Sequence, residues 1–231
     1  MIARFMRKAI EPFVKTVKSY LELSLINCQE TEPEVIDKSH VKTLFLSYCQ
    51  KDSDIANFIE VELEPYINGK ARISRDIRDV EYHESFKKFM QTIESHDFVI
   101  MNISNHYLKS RNCMFEVLEV IKDSQFQKKL AFIVLTDEDI QYYQEQYIPS
   151  IGAKVYFLEG QTKYSLYWTK VEKELQDQIE GLGDPTRTIH QIKEKCTVQR
   201  ILLDLLEFME FIKDAKGLPL SEHIDSGLRI Y

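Results

Sequence analysis

The sequence predicts an α/β fold: a parallel β-sheet of five strands with helices on both faces. Three observations predict it. Short apolar runs alternate with stretches of helical period across residues 42–182. Two of the runs, Phe98–Ile103 (FVIMNI) and Leu130–Leu135 (LAFIVL), are almost continuously apolar, Asn102 being the one polar residue in them, as central strands covered on both sides are. Of the 231 residues, 44% are hydrophobic, enough for a sizeable core and against wholesale disorder.

Each element has its own signal. In residues 1–27, Ile2, Phe5, Met6, Ala9, Phe13, Val17, Tyr20, Leu21 and Leu25 recur at helical spacing, with Arg4, Arg7, Lys8, Lys15 and Lys18 between them. Such a basic amphipathic helix either lies on a membrane surface or packs on its own domain or on a second copy. Pro12 marks a kink in it or a new start. Residues 28–41 are polar and aperiodic and read as a linker. Thr43–Ser47 is the first strand, and Asp52 or Ser53 caps a helix with Ile55, Phe58, Ile59 and Leu63 on its inner face. After the Asn68-Gly69 turn, Ala71–Ser74 is a weaker strand. Phe86, Phe89, Met90 and Ile93 form a helical stripe ahead of the third strand, Phe98–Ile103. Met114, Val117, Leu118 and Ile121 form another ahead of the fourth, Leu130–Leu135. Val155–Leu158 is the fifth strand, and a helix follows through Leu166, Val171, Leu175 and Ile179. Gly181–Pro185 breaks the pattern. Residues 183–231 form a helical extension with a broad apolar face: Ile201, Leu202, Leu205, Phe208, Met209 and Ile212, widened by Leu203, Leu206 and Phe211. A face that wide has to be covered, by the domain, by the N-terminal helix or by another subunit.

Composition narrows the function classes. The formal net charge of −7 argues against nucleic acid as the partner. The four cysteines, Cys28, Cys49, Cys113 and Cys196, lack the close spacing of a zinc ribbon or a redox pair, which fits reduced thiols and a cytoplasmic location. His83 and His96 show no metal-ligand pattern, so no metal is expected. No run approaches the roughly 20 apolar residues of a membrane span. In a sheet of this kind ligands bind at the carboxyl ends of the strands, which singles out the loops 48–52, 75–84 and 104–113.

Three segments in these loops carry a resemblance. Phe45-Leu-Ser-Tyr48 with Asp52 and Asp54 looks like the opening strand and loop of a TIR domain. Arg75-Asp-Ile-Arg-Asp79 resembles the lead into that family's mobile second loop. Ser110-Arg-Asn-Cys113-Met-Phe-Glu116 is similar to its Ser-x-Trp-Cys-x-x-Glu signature, with Asn112 in place of the tryptophan. The resemblance covers about residues 41–180 and implies a flavodoxin-like sheet in a domain over 42–182. It also implies cleavage of the nicotinamide–ribose bond of NAD, as substrate rather than cofactor, by a bacterial-type protein of immune signalling and antiphage defence. Glu116 is then the catalytic residue. Ser47, Tyr48, Asp76, Arg78, Asp79, Ser110, Asn112 and Cys113 are candidates for substrate binding. Self-association through the domain and its helical extensions, and a separate effector protein, are the partners this implies.

The residues themselves leave choices open. The nicotinamide of NAD is a cationic ring that departs neutral, so it needs no acid, and one carboxylate beside the oxocarbenium-like ribose carbon is sufficient help. Yet on a helical wheel Glu116 lies nearly opposite the core stripe of its helix, where an exposed glutamate is the ordinary finding. Ser110 bonds a substrate hydroxyl or satisfies a helix start. Asp76, Arg78 and Asp79 clamp phosphates or ribose, or pair within an exposed loop. Asn112 could serve as a helix cap. Cys113 reads as a packing residue, since pairing with a histidine such as His106 does not follow from sequence. With tryptophan absent, Tyr48 and Phe115 are the nearby aromatic candidates. The competing reading is a non-catalytic scaffold that binds other TIR domains. A phosphorelay receiver is excluded because the first strand runs into Ser47-Tyr48-Cys49, not an acidic pair, and the third ends without an aspartate.

Overall fold

The computed structural model describes residues 41–67, 71–75, 91–143, 150–183 and 185–214. The expected N-terminal helix, all of the linker but Val41, the Asn68-Gly69 turn, and Asp76, Arg78 and Asp79 lie outside these residues. So do Phe86, Phe89 and Met90 of the expected helical stripe; residues 91–95 are helical and Ile93 is buried.

Four strands form one parallel sheet: β1 (Lys42–Ser47), β2 (Ala71–Arg75), β3 (Phe98–Ile103) and β4 (Leu130–Val134), in the order β2-β1-β3-β4. Alternate side chains of each strand enter different cores. Phe45, Val99, Met101, Phe132 and Val134 face one side, and Leu44, Leu46, Ile100 and Ile133 the other. Both sides are apolar because both are covered, which is why β4 reads as an unbroken apolar run and β3 as one interrupted only by the buried Asn102.

Helix α1 (Ser53–Ile67) closes the second face with Ile55, Ala56, Ile59 and Leu63, all at helical spacing. A one-turn 3-10 segment, Gln50–Asp52, links it to β1. The first face carries α2 (Asn105–Lys109), α3 (Arg111–Val120), α5 (Leu158–Leu182) and α6 (Pro185–Asp214); the short α4 (Ser124–Gln127) lies between α3 and β4. Met114, Val117 and Leu118 of α3 are buried as their spacing predicts. Ile201, Leu205, Phe208, Met209 and Ile212 of α6 are buried in the same core, so the C-terminal apolar face is largely covered from within the chain. Leu203 and Leu206 are not and remain exposed. The break between α5 and α6 is local: Gly183 takes a left-handed φ of 61°, and Pro185 opens the next helix, where its missing N–H costs nothing. Among the described residues, no helix is long and apolar enough to cross a membrane.

The fifth strand expected at Val155–Leu158 does not form. The chain enters beside the end of β4, where the Ala153 N–H donates to the Leu135 carbonyl at 2.8 Å. The neighbouring Gly152 N–H donates instead to the Asp137 side chain at 3.0 Å, so a carboxylate takes the place of a strand partner. Val155 is buried, but Leu158 already belongs to α5 and is exposed.

Candidate active site

The carboxyl ends of β1, β2 and β3 open into a cavity of about 940 Å³, roofed on one side by α5. Its size suits a dinucleotide-sized ligand. Ser47, Tyr48, Ser110, Asn112, Cys113 and Glu116, all candidates from the sequence, line it together.

Glu116 is the residue whose surroundings differ most from the sequence reading. It is only 3% exposed. The helical wheel assumed one covered side of α3, but Val120, one turn further along the Glu116 side, is fully buried too. Helix α3 packs on both α2 and α6, and the ion pair of Arg111 with the buried Glu194 ties it to α6. Ser110, not Asn112, caps α3: its Oγ accepts the Cys113 N–H at 3.4 Å. Asn112 sits within the first turn, exposed at the cavity. Cys113 is half-buried and in hydrogen-bond contact with Cys49. That contact, together with burial, raises the Cys49 pKa, away from a thiolate nucleophile.

A second cluster was hidden in the sequence. Asp52, expected as a cap, is fully buried and accepts three side-chain hydrogen bonds. Ser104 Oγ donates one, Tyr143 Oη another at 2.8 Å, and His106 Nδ1 the third at 2.6 Å. Ser104 also caps α2, accepting the Tyr107 N–H at 2.8 Å. The bond to Asp52 raises the pKa of His106 and outweighs the opposing burial. His106 lines the cavity.

The cavity is cationic within an acidic protein. Among the described residues lining it, Glu116 is the one acid, against Lys51, Arg75, Lys109, Lys163 and His106. Arg75 is partly neutralised by Glu60 at 2.6 Å. The aromatic lining comes from Tyr48 and Tyr167; Phe115 does not reach it. Tyr167, on α5, donates to the Lys109 carbonyl at 3.3 Å and rests edge-on against the buried Trp168. No short-range signal marks Tyr167 or Lys163, which lie more than forty residues beyond the Ser110–Glu116 segment.

The model of the TIR domain family matches residues 44–164, just over half of the chain. The chain belongs to the TIR domain family. Comparison with curated proteins and with solved structures gave no match. The matched span of this TIR domain runs from β1 into α5 and includes Glu116 and the Asp52–His106 pair. Tyr167, Trp168 and the whole of α6 lie beyond it.

Proposed function

We propose that this TIR domain cleaves the bond between nicotinamide and ribose in NAD, with Glu116 as the catalytic carboxylate. The observation that carries the reading is the burial of Glu116 in the wall of a dinucleotide-sized cavity where it is the one acid among the described lining residues. As the C1′–N bond breaks, its electron pair passes to the pyridinium nitrogen and nicotinamide leaves neutral. The positive charge left on the ribose is what a desolvated carboxylate stabilises. Water then adds to C1′ and releases a proton, giving ADP-ribose. An adenine nitrogen or an outside nucleophile adding there gives a cyclic or conjugated product instead. The surrounding cations suit the diphosphate of such a substrate. Antiphage defence, through NAD depletion or a nucleotide signal to a separate effector, is the setting this reading implies.

A second reading, assembly without catalysis, draws on the exposed apolar side chains of α5 and α6: Phe157 beside α5, Leu158 and Leu166 on it, and Leu203 on α6. The two are separated by incubating the intact protein with NAD, with and without conditions that promote assembly, and following nicotinamide release. Glu116→Gln, which keeps shape and removes charge, is expected to lower turnover by about a hundredfold or more while the protein stays folded. Turnover that survives the change excludes Glu116 as the catalytic group. No turnover in the wild type under either condition leaves the scaffold.

A further inference from the structure

We infer that His106, Lys109 and Lys163 form an anion site that holds the diphosphate of a nucleotide, with His106 fixed for this by Asp52. The inference rests on the reading of the cavity as a nucleotide site and assigns residues to one part of the ligand.

The geometry is built rather than incidental. Asp52 is completely buried and holds Nδ1 of His106 at 2.6 Å. Ser104 and Tyr143 occupy the rest of its carboxylate, so the ring cannot swing without breaking a buried network. With Nδ1 committed, Nε2 is the ring nitrogen left for a ligand. Lys109 stands three residues further along α2, on the same side of that helix as His106. Lys163 reaches the cavity from α5. Among the described residues, neither lysine has a carboxylate at ion-pair distance. Lys109 has its pKa lowered first by burial and then by the proximity of Lys163, so the two cations lie close enough to act on one ligand. Lys109 is also steadied over the Tyr167 ring, 5.5 Å from its centre. Asp52 offsets a protonated His106, which leaves the two lysine charges for the ligand. A diphosphate supplies two negative charges and suits charge-assisted hydrogen bonds from all three groups.

The imidazole is the titrating member. The groups acting on it are Asp52, Cys49 and Lys51 from the turn after β1; Tyr143 shares Asp52, and Lys109 stands three residues along its own helix. Protonated, His106 donates from both nitrogens; neutral, it loses its charge. Diphosphate affinity therefore falls as pH rises through the His106 pKa.

The test is calorimetric titration of the intact protein with ADP and with adenosine, which differ in the diphosphate alone. His106→Gln is expected to weaken ADP binding about tenfold and leave adenosine unchanged. Lys163→Gln, at an exposed position that does not threaten folding, is expected to act the same way. Wild-type affinity for ADP is expected to fall as pH rises above the ordinary histidine value of about 6.5, through the raised pKa of His106, and that dependence to vanish in His106→Gln. Equal losses for ADP and adenosine, a flat pH profile, or no binding of ADP by the wild type overturns the inference. If His106→Gln does not fold, the pH profile and Lys163→Gln decide. NAD cleavage with no cluster effect on ADP removes this site and keeps the catalytic reading. Cluster-dependent ADP binding with no nicotinamide release does the reverse.

Discussion

Replacing Asp52 by alanine removes the acceptor shared by Ser104, His106 and Tyr143 while leaving all three in place. Orphaned buried donors and a lost ion pair make this a costly change, expected at about 3 kcal/mol in denaturant unfolding. The same pair gives stability a pH dependence of defined sign. The pKa of His106 is raised in the folded protein, so its contribution is complete below the ordinary histidine value and is lost as pH rises through the raised one. The stability advantage of the wild type over His106→Gln is therefore expected to shrink from about pH 6.5 upward, and an advantage independent of pH contradicts it. None of this was legible in the sequence. Asp52 read as a helix cap, nothing singled out Ser104 or Tyr143, and the partners of Asp52 stand 52, 54 and 91 residues away. Glu116 was legible by motif and misleading by periodicity, because a helical wheel describes one covered side and α3 has more than one.

The start of α5 depends on a glycine that sequence reading passed over. A Cβ at Gly160 would stand 1.9 Å from the carbonyl oxygen of Lys154, so the helix lies against the backbone that enters it. Gly160→Ala is expected to destabilise by about 3 kcal/mol, despite alanine's better helix propensity, since the clash is with main chain that cannot turn aside. A neutral or stabilising result in thermal unfolding disproves that close packing. Strands β1 to β4 and the stripes of α1 and α3 were legible because each buries a regular subset of its own side chains. The segment after β4 was not. It is as apolar as a strand, but its hydrogen bonding is decided by Asp137, whose pKa, despite partial burial, is lowered by the Gly152 N–H and the Ser150 hydroxyl. A pattern of apolar residues reports burial and not which acceptor a backbone N–H finds.

At the scale of the molecule, charge and apolar surface are distributed unevenly. The chain carries a formal charge of −7, yet the cavity at the carboxyl ends of its strands gathers cations, an arrangement suited to drawing in an anion. On α6, Leu203 is 81% and Leu206 51% exposed, beside a face otherwise sealed into the core. If they serve self-association, the double change Leu203→Glu and Leu206→Glu is expected to shift sedimentation toward monomer without lowering the melting temperature. An unchanged distribution removes this face from the assembly. The buried side of α6 has a different bearing. The stretch that homology delimits stops at residue 164, seven residues into α5, whereas the backing of Glu116 continues through α6 by way of Arg111 and Glu194. A protein trimmed to the homologous stretch would forfeit Tyr167, Trp168 and the lid over α3, and its inactivity would speak of a missing buttress, not of the chemistry of the carboxylate.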